Sequence, residues 1–210
     1  MRFAELDAVT VDGYGTLLHL TDPVTALRTA LAGRGIQAGK EQVERAFHAE
    51  VAHYRPHAHE GRDAASLAAL RRDCVEVFLG ELGDPLGTAE FVDAFMGSLV
   101  FELVPGAVAA LRTLRRRDLR LGVVANWDYD LPAHLERLGL HGMFDTVVTS
   151  ARAGAAKPDP AIFELALREL GVRPERALHV GDEPVDEEGA RAAGLHFAPA
   201  PLSGAFAGWS

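Results

Sequence analysis

The sequence has little cysteine and an excess of negative charge. Cys74 is the single cysteine among 210 residues, which excludes an intramolecular disulfide and a thiolate zinc site. The formal net charge of −9 disfavours nucleic acid as a partner, because its phosphate backbone is also anionic. No stretch approaches the roughly 20 uninterrupted apolar residues of a membrane span, and no segment resembles a signal peptide. We therefore expect a cytoplasmic protein without a nucleic-acid or membrane partner.

The remaining composition is typical of a folded globular chain. Hydrophobic residues make up 48% and charged residues 24%, enough to bury a core. Short apolar or β-branched runs predict strands at 8–11, 120–125, 144–149 and 177–180, and apolar spacings of three and four predict helices between the later ones. Such alternation is typical of a parallel sheet covered on both faces. The predicted fold class is α/β, a doubly wound, Rossmann-like parallel sheet.

An internal stretch interrupts this alternation with helical patterns alone. Helices are predicted at 24–33, 40–54, 64–79 and 88–98. The simplest organisation is an α/β core formed by residues 1–20 and 100–210, with an all-helical cap of residues 21–99 inserted after the first strand. Such a cap would lie over the carboxyl ends of the strands, where open α/β sheets bind ligands.

Polar side chains follow the predicted strands. Asp12, Asn126 and Asp182 fall just after the first, second and last strands, and Lys157 lies in the segment after the third. Parallel strands bring their carboxyl ends to one edge of the sheet, so we expect these side chains to converge. One such acid is an ordinary turn or helix cap, whereas four polar positions in this order indicate a common site.

Four segments around these residues carry a family resemblance. They are VTVDGYGTL at 9–17, VVAN at 123–126, GAAKPDP at 154–160 and VGDEPVD at 180–186. In this order they resemble the four motifs of the haloacid dehalogenase superfamily, in the branch that inserts a helical cap between motifs one and two. The resemblance implies a hydrolase that acts on a small-molecule substrate.

The resemblance implies a role for each matching residue. Asp12 would be the nucleophile that forms a covalent aspartyl intermediate. Lys157 would keep Asp12 ionised and balance the charge of the transferred group. The implied cofactor is Mg²⁺, held by Asp12, Asp182 and the backbone carbonyl of Tyr14, with Asp186 binding directly or through water.

Four further residues are candidates for the site. The Thr16 hydroxyl could donate to the nucleophile loop or to Asp12. Asn126 and Trp127, which face the expected cleft after motif two, are candidates for substrate binding. Arg55, at a predicted helix end before Pro56, could contact substrate from the cap.

Two positions depart from the family pattern. Phosphatases of the family carry a general acid–base aspartate two residues after the nucleophile. Tyr14 stands there instead, and a phenol stays protonated near neutral pH and is a poor base. Haloacid dehalogenases also have tyrosine there, because halide leaves as a stable anion without a proton. Ala125 replaces the Ser or Thr whose hydroxyl binds a phosphate oxygen.

Three hypotheses follow from these features. Tyr14 favours a metal-free 2-haloacid dehalogenase. Gly181, Asp182 and Asp186 favour a magnesium-dependent phosphatase, because a metal neutralises phosphoryl charge. The two lost groups are also compatible with a catalytically decayed binding protein. We favour the phosphatase, and without the usual acid it should prefer good leaving groups, such as those of aryl or acyl phosphates.

Overall fold

The chain divides into two compact units. The computed structural model describes residues 5–83, 87–140 and 142–206. The first unit comprises Met1–His19 and Leu103–Ser210, and the second comprises Leu20–Glu102. Each unit has a hydrophobic core of its own.

A five-stranded parallel sheet forms the centre of the first unit. The described part of the chain contains, in chain order, β1 (Ala8–Val11), β2 (Leu18–Leu20), β3 (Phe101–Leu103), β4 (Arg120–Ala125), β5 (Thr146–Thr149), β6 (Ala177–Gly181) and β7 (His196–Pro199). The sheet has the order β5-β4-β1-β6-β7, and β2 pairs with β3 in a separate two-stranded sheet. The position of β1 between β4 and β6 places the segment that follows β1 at the middle of the sheet edge.

Helices fill the second unit and alternate with strands in the first. The second unit contains α1 (Pro23–Ala32), α2 (Lys40–His57), α3 (Ala64–Leu82) and α4 (Thr88–Ser98). The first unit contains α5 (Ala107–Arg115), α6 (Leu131–Arg137), α7 (Ser150–Ala153), α8 (Pro160–Leu170) and α9 (Pro184–Ala192). Short 3₁₀ turns occur at Ala58–Glu60 and Pro174–Arg176. The predicted α/β class with a parallel, helix-flanked sheet is confirmed.

The local sequence explains why these elements form. All four residues of β1 are buried, as expected for a central strand covered on both faces. Helix α8 begins with Pro160 after Asp159, whose carboxylate accepts from the N–H of Ala161 at 2.9 Å. It ends at Gly171, where φ is 63° and a left-handed conformation is needed. Its apolar face packs in the core of the first unit.

The element boundaries differ from the sequence predictions in several places. Helix α2 contains Pro56 and continues to His57, so the predicted end before the proline is wrong. Proline has no backbone N–H, so this last turn lacks one helical hydrogen bond. There the ring Nδ1 of His57 lies 2.7 Å from the carbonyl oxygen of His53 and bonds to it. Strand β5 begins two residues later than expected, and the short strands β2, β3 and β7 were not predicted.

The core of the second unit is rich in aromatic side chains. Phe78, Phe91 and Phe95 are fully buried, and the rings of Phe78 and Phe95 meet edge to face with centroids 5.0 Å apart. These rings join α3 to α4. None of the described helices has the length and apolar character needed to cross a membrane.

Glu50 is a buried carboxylate within this helical unit. It lies on α2 and makes a side-chain hydrogen bond with Cys74 of α3. Burial raises the pKa of Glu50 to about 7, although the hydrogen bond with Cys74 opposes the shift. The folded unit therefore favours the protonated carboxyl, which resembles an amide in its hydrogen bonding.

We predict that Glu50→Gln makes the protein less sensitive to alkaline pH. The folded pKa lies above the ordinary glutamate value of 4.5, so the stabilisation is present below pH 4.5 and is lost as pH rises through 7. In the wild type, ionisation of Glu50 lowers the free energy of unfolding by about 3 kcal/mol. The glutamine variant cannot ionise and should not lose this stability. Urea unfolding at pH 5 and pH 8 measures it, with exposed Glu44→Gln on the same helix as control. An equal loss in wild type and Glu50→Gln would contradict the prediction.

Candidate active site

Asp12 begins the loop that follows the central strand. Its N–H donates to the carbonyl of Val180 at 2.9 Å, so its backbone is still held by the sheet. The residue is only 6% exposed. The carbonyl of Gly13 accepts from the N–H groups of Leu17 and Leu18, both at 2.9 Å, and these bonds turn the loop back on itself. These backbone hydrogen bonds fix the position of Asp12 and of the loop that follows it.

The same loop packs against the acid that follows β6. The buried hydroxyl of Thr16 donates to Asp182 Oδ1 at 3.1 Å. Gly15 has a φ of 85°, and a Cβ at this position would lie 2.2 Å from Asp182 Oδ2. Glycine is required there for both reasons. Thr16, predicted to serve the loop or Asp12, thus bonds to Asp182, a side chain otherwise exposed to solvent.

Lys157 is a buried ammonium between two carboxylates. Its Nζ donates to Asp12 Oδ1 and, at 2.5 Å, to Asp186 Oδ1. The lysine side chain is 3% exposed. Burial alone would lower the pKa of Lys157, but the charges of Asp12 and Asp186 outweigh burial and raise it. The side chain therefore carries a full positive charge at neutral pH.

Asn126 fixes the backbone of Lys157. Its amide nitrogen donates to the Lys157 carbonyl at 3.0 Å, and its amide oxygen accepts from the Lys157 N–H at 2.7 Å. The sequence prediction for Asn126 was substrate binding. The structure shows a two-point bond to the lysine segment, which places Lys157 beside the nucleophile.

The other predicted site residues lie in different surroundings. Trp127 is buried, with its ring 3.5 Å from the position of a Cβ on Gly13, so it packs against the nucleophile loop. Tyr14 is 48% exposed at the turn of that loop. Arg55 is exposed on α2 of the second unit and is not among the residues that the first unit brings together.

Three carboxylates converge at this edge of the sheet. One oxygen each from Asp12, Asp182 and Asp186 lies within 4.8 Å of the others. Burial raises the pKa of Asp12 to about 7, against the opposing charge of Lys157. Partial desolvation also raises the pKa of Asp182, and the neighbouring Asp186 adds to this effect. Three acids share one ammonium, so the cluster is short of positive charge, and a dication with oxygen preference such as Mg²⁺ fits it.

Asp186 differs from the other two acids. Burial opposes its ionisation, but the hydrogen bond with His179 and the charge of Lys157 prevail and hold the pKa of Asp186 well below its usual range. Its Oδ1 faces Lys157 and His179, and its Oδ2 accepts from the N–H of Glu183 at 3.0 Å. With both oxygens engaged, Asp186 fits a metal through water better than by direct ligation.

The sequence analysis missed His179. This residue is fully buried at the centre of β6, and its Nε2 lies 3.1 Å from Asp186 Oδ1. Burial lowers the pKa of His179, so the ring is neutral. A polar residue in the apolar run Ala-Leu-His-Val-Gly is the signal that could have identified it.

The chain is similar in sequence and fold to known proteins. The family model described as haloacid dehalogenase-like hydrolase matches residues 6–194. The chain is 45% identical over 103 residues to "Haloacid dehalogenase-like hydrolase domain-containing protein 3" of Homo sapiens, covering 49% of this chain and 41% of that protein. It is 40% identical over 116 residues to "Phosphoserine phosphatase" of Thermus thermophilus, covering 54% and 47%. The chain thus spans less than half the length of these curated relatives.

A solved structure is similar over most of the chain. The L-2-haloacid dehalogenase from Xanthobacter autotrophicus superposes with a TM-score of 0.70 at 26% sequence identity. The similarity covers 93% of this chain and 77% of the dehalogenase. Both a phosphatase and a dehalogenase are therefore found among the similar proteins.

We predict that two neighbouring carboxylates affect stability with opposite signs. The raised pKa of Asp12 means that its stabilising, protonated form is lost as pH rises through 7, so Asp12→Asn should raise Tm at pH 8. The lowered pKa of Asp186 means that its stabilisation is present above the ordinary value of 3.8, so Asp186→Asn should lower Tm at pH 8.

Thermal unfolding with a metal chelator measures both effects. A shift of roughly 2–4 °C is expected for each kcal/mol gained or lost. Because wild-type Asp12 takes up a proton below pH 7, the gain from Asp12→Asn should shrink at pH 5. Two Tm shifts of the same sign at pH 8 would rule out this assignment of the charges.

Proposed function

The chain belongs to the haloacid dehalogenase-like hydrolase family, and we propose that it is a magnesium-dependent phosphatase with Asp12 as nucleophile. The observation that carries the proposal is the convergence of Asp12, Asp182 and Asp186 beside a single lysine. A site for anion transfer that contains excess carboxylates needs a cation to accept a phosphoryl group. The relative named phosphoserine phosphatase supports the same class of substrate, a small phosphorylated metabolite.

The residues present suit in-line phosphoryl transfer. An Asp12 oxygen attacks phosphorus, the new O–P bond forms, and the bond to the leaving oxygen breaks. Water then attacks the aspartyl phosphate, which releases inorganic phosphate and restores the Asp12 carboxylate. Lys157 keeps its positive charge throughout and balances the approach of the phosphoryl oxygens to Asp12.

The metal would be held by Asp12 and Asp182, with the Tyr14 carbonyl as a further ligand and Asp186 acting through water. Bound there, Mg²⁺ supplies neutralisation of phosphoryl charge. Thr16 holds Asp182 in place through its 3.1 Å hydrogen bond. Asn126 serves the same purpose for Lys157.

The leaving group must depart without the usual acid. The side chain two residues after the nucleophile is the exposed phenol of Tyr14, which does not supply a carboxylic proton. Leaving groups that are stable as anions avoid this requirement. We therefore propose aryl and acyl phosphates as good substrates and unactivated sugar phosphates as slow ones.

A metal-free dehalogenase is the second candidate. Tyr14 favours it, as does the similarity to a solved L-2-haloacid dehalogenase. Asp182 argues against it, since an acid beside Asp12 and Asp186 repels an incoming carboxylate substrate in the absence of metal. A decayed binding protein is the third, and the buried, charged pair of Lys157 and Asp186 argues against it, because burying charge is costly.

We predict phosphate release that requires both magnesium and Asp12. The assay uses p-nitrophenyl phosphate, acetyl phosphate and glucose 6-phosphate, each with Mg²⁺ or with EDTA. The first two should be hydrolysed at least about tenfold faster than the third, because they need no proton on the leaving group. Asp12→Asn should abolish turnover of all three. Chloride release from 2-chloropropionate in EDTA would instead establish the dehalogenase, and inertness towards both classes would favour the binding protein.

We also predict that restoring the acid broadens the substrate range. Tyr14→Asp should raise kcat/KM for glucose 6-phosphate by about a hundredfold, within the range of general acid catalysis, and change p-nitrophenyl phosphate hydrolysis far less. The Tyr14→Asn variant is the matched control, since it has the shape of aspartate without the proton. An equal gain in both variants would show that removal of the phenol, not addition of an acid, is responsible.

A further inference from the structure

His179 occupies a buried position in a parallel strand, where an apolar residue is usual. It occupies the middle of β6, and all five residues of that strand are buried. In the strand register it pairs with Thr10 of β1, two residues before the nucleophile. Burying an imidazole costs free energy unless its nitrogens are hydrogen bonded, so a leucine would be the simpler choice for stability.

Both ring nitrogens of His179 have a partner. Nδ1 lies 2.9 Å from Thr10 Oγ1, and Nε2 lies 3.1 Å from Asp186 Oδ1. A carboxylate oxygen only accepts, so Nε2 carries the hydrogen and donates to Asp186. Nδ1 of the neutral ring then accepts from the Thr10 hydroxyl. The alternative acceptor for that hydroxyl, the Leu178 carbonyl, is more distant at 3.5 Å.

The ring is also fixed from its side. Phe163 of α8 meets it edge to face, with centroids 5.0 Å apart and an angle of 86° between the planes. A hydrogen bond at each nitrogen and an aromatic contact leave the imidazole one orientation. The Nε2–H donor therefore points in a fixed direction, toward Asp186.

Asp186 is in turn the anchor of the catalytic lysine. The Oδ1 atom that accepts from His179 also accepts from Lys157 Nζ at 2.5 Å, and the lysine extends from there to Asp12. A carboxylate free to rotate would let the ammonium move away from the nucleophile. Displacements of about 1 Å in an active site cost up to about a hundredfold in rate.

We propose that His179 is a positioning residue for the hydrolytic reaction, which holds the Asp186 carboxylate so that Lys157 stays on Asp12. The expected effect of His179 on kcat rests on the proposed function. The geometric basis of the proposal, the chain from Thr10 through His179 to Asp186, is independent of the substrate. His179 does not itself touch the reacting atoms and acts through the two residues that follow it in this chain of contacts.

The first experiment compares His179→Leu with His179→Gln. Leucine fills the space without a donor, whereas the glutamine amide nitrogen can replace Nε2–H. With p-nitrophenyl phosphate and Mg²⁺, the leucine variant should lose about tenfold to a hundredfold in kcat with little change in KM, and glutamine should recover most of the loss. Thermal unfolding checks that both variants fold. Equal kcat values for the two variants would overturn the proposal.

The second experiment does not depend on turnover. In the metal-free wild type, ¹⁵N NMR of the histidine rings should show His179 as a neutral ring protonated at Nε2, with slow exchange of that proton with water. An Nδ1-protonated ring would overturn the proposal even if the enzyme is active. If the wild type hydrolyses no phosphate, the proposed function fails, and the NMR result alone decides whether His179 holds Asp186.

Discussion

The buried ion pair of Lys157 with Asp12 and Asp186 is the interaction on which the site depends. An ammonium withdrawn from water costs several kcal/mol, and only close carboxylates and a fixed geometry offset this cost. The protein provides both, with acids from the segments after β1 and in α9 and with a backbone held by Asn126. Because Asp12 follows β1, Lys157 precedes α8 and Asp186 lies in α9, these contacts link the nucleophile to the helices of the first unit.

The strand order explains how distant segments of sequence form one site. Strand β1 lies between β4 and β6, so the residues after these three strands emerge side by side. Asn126 follows β4, Asp12 follows β1 and Asp182 follows β6. The strands are mostly apolar, and the charged residues of the site lie beyond the strand ends. This separation lets the core supply stability while the edge carries the charges.

Much of the fold could be predicted from the sequence, because burial on both faces and helical periodicity leave clear patterns. The convergence of Asp12, Lys157, Asp182 and Asp186 follows from their places after parallel strands. The partners of Thr16 and Asn126 could not be predicted, since hydrogen bonding depends on side-chain directions that spacing does not encode. His179 was missed for a related reason: strand patterns predict burial at its position, and its function depends on contacts with two other elements. Strand β7 was missed because it is an edge strand with one buried residue, and its sequence, His-Phe-Ala-Pro, lacks an apolar run.

The contact between Gly15 and Asp182 has a consequence for how this sequence can vary. Any side chain at position 15 would occupy the space of the Asp182 carboxyl, with 2.2 Å between Cβ and Oδ2. Substitutions at the two positions are therefore coupled, although the positions lie 167 apart in the numbering. Change at the first needs a background in which the second has become small or has moved, and even there the φ of 85° strains any residue other than glycine. Single-site mutational scans would score position 15 as intolerant and attribute to the loop alone a constraint that it shares with the acid.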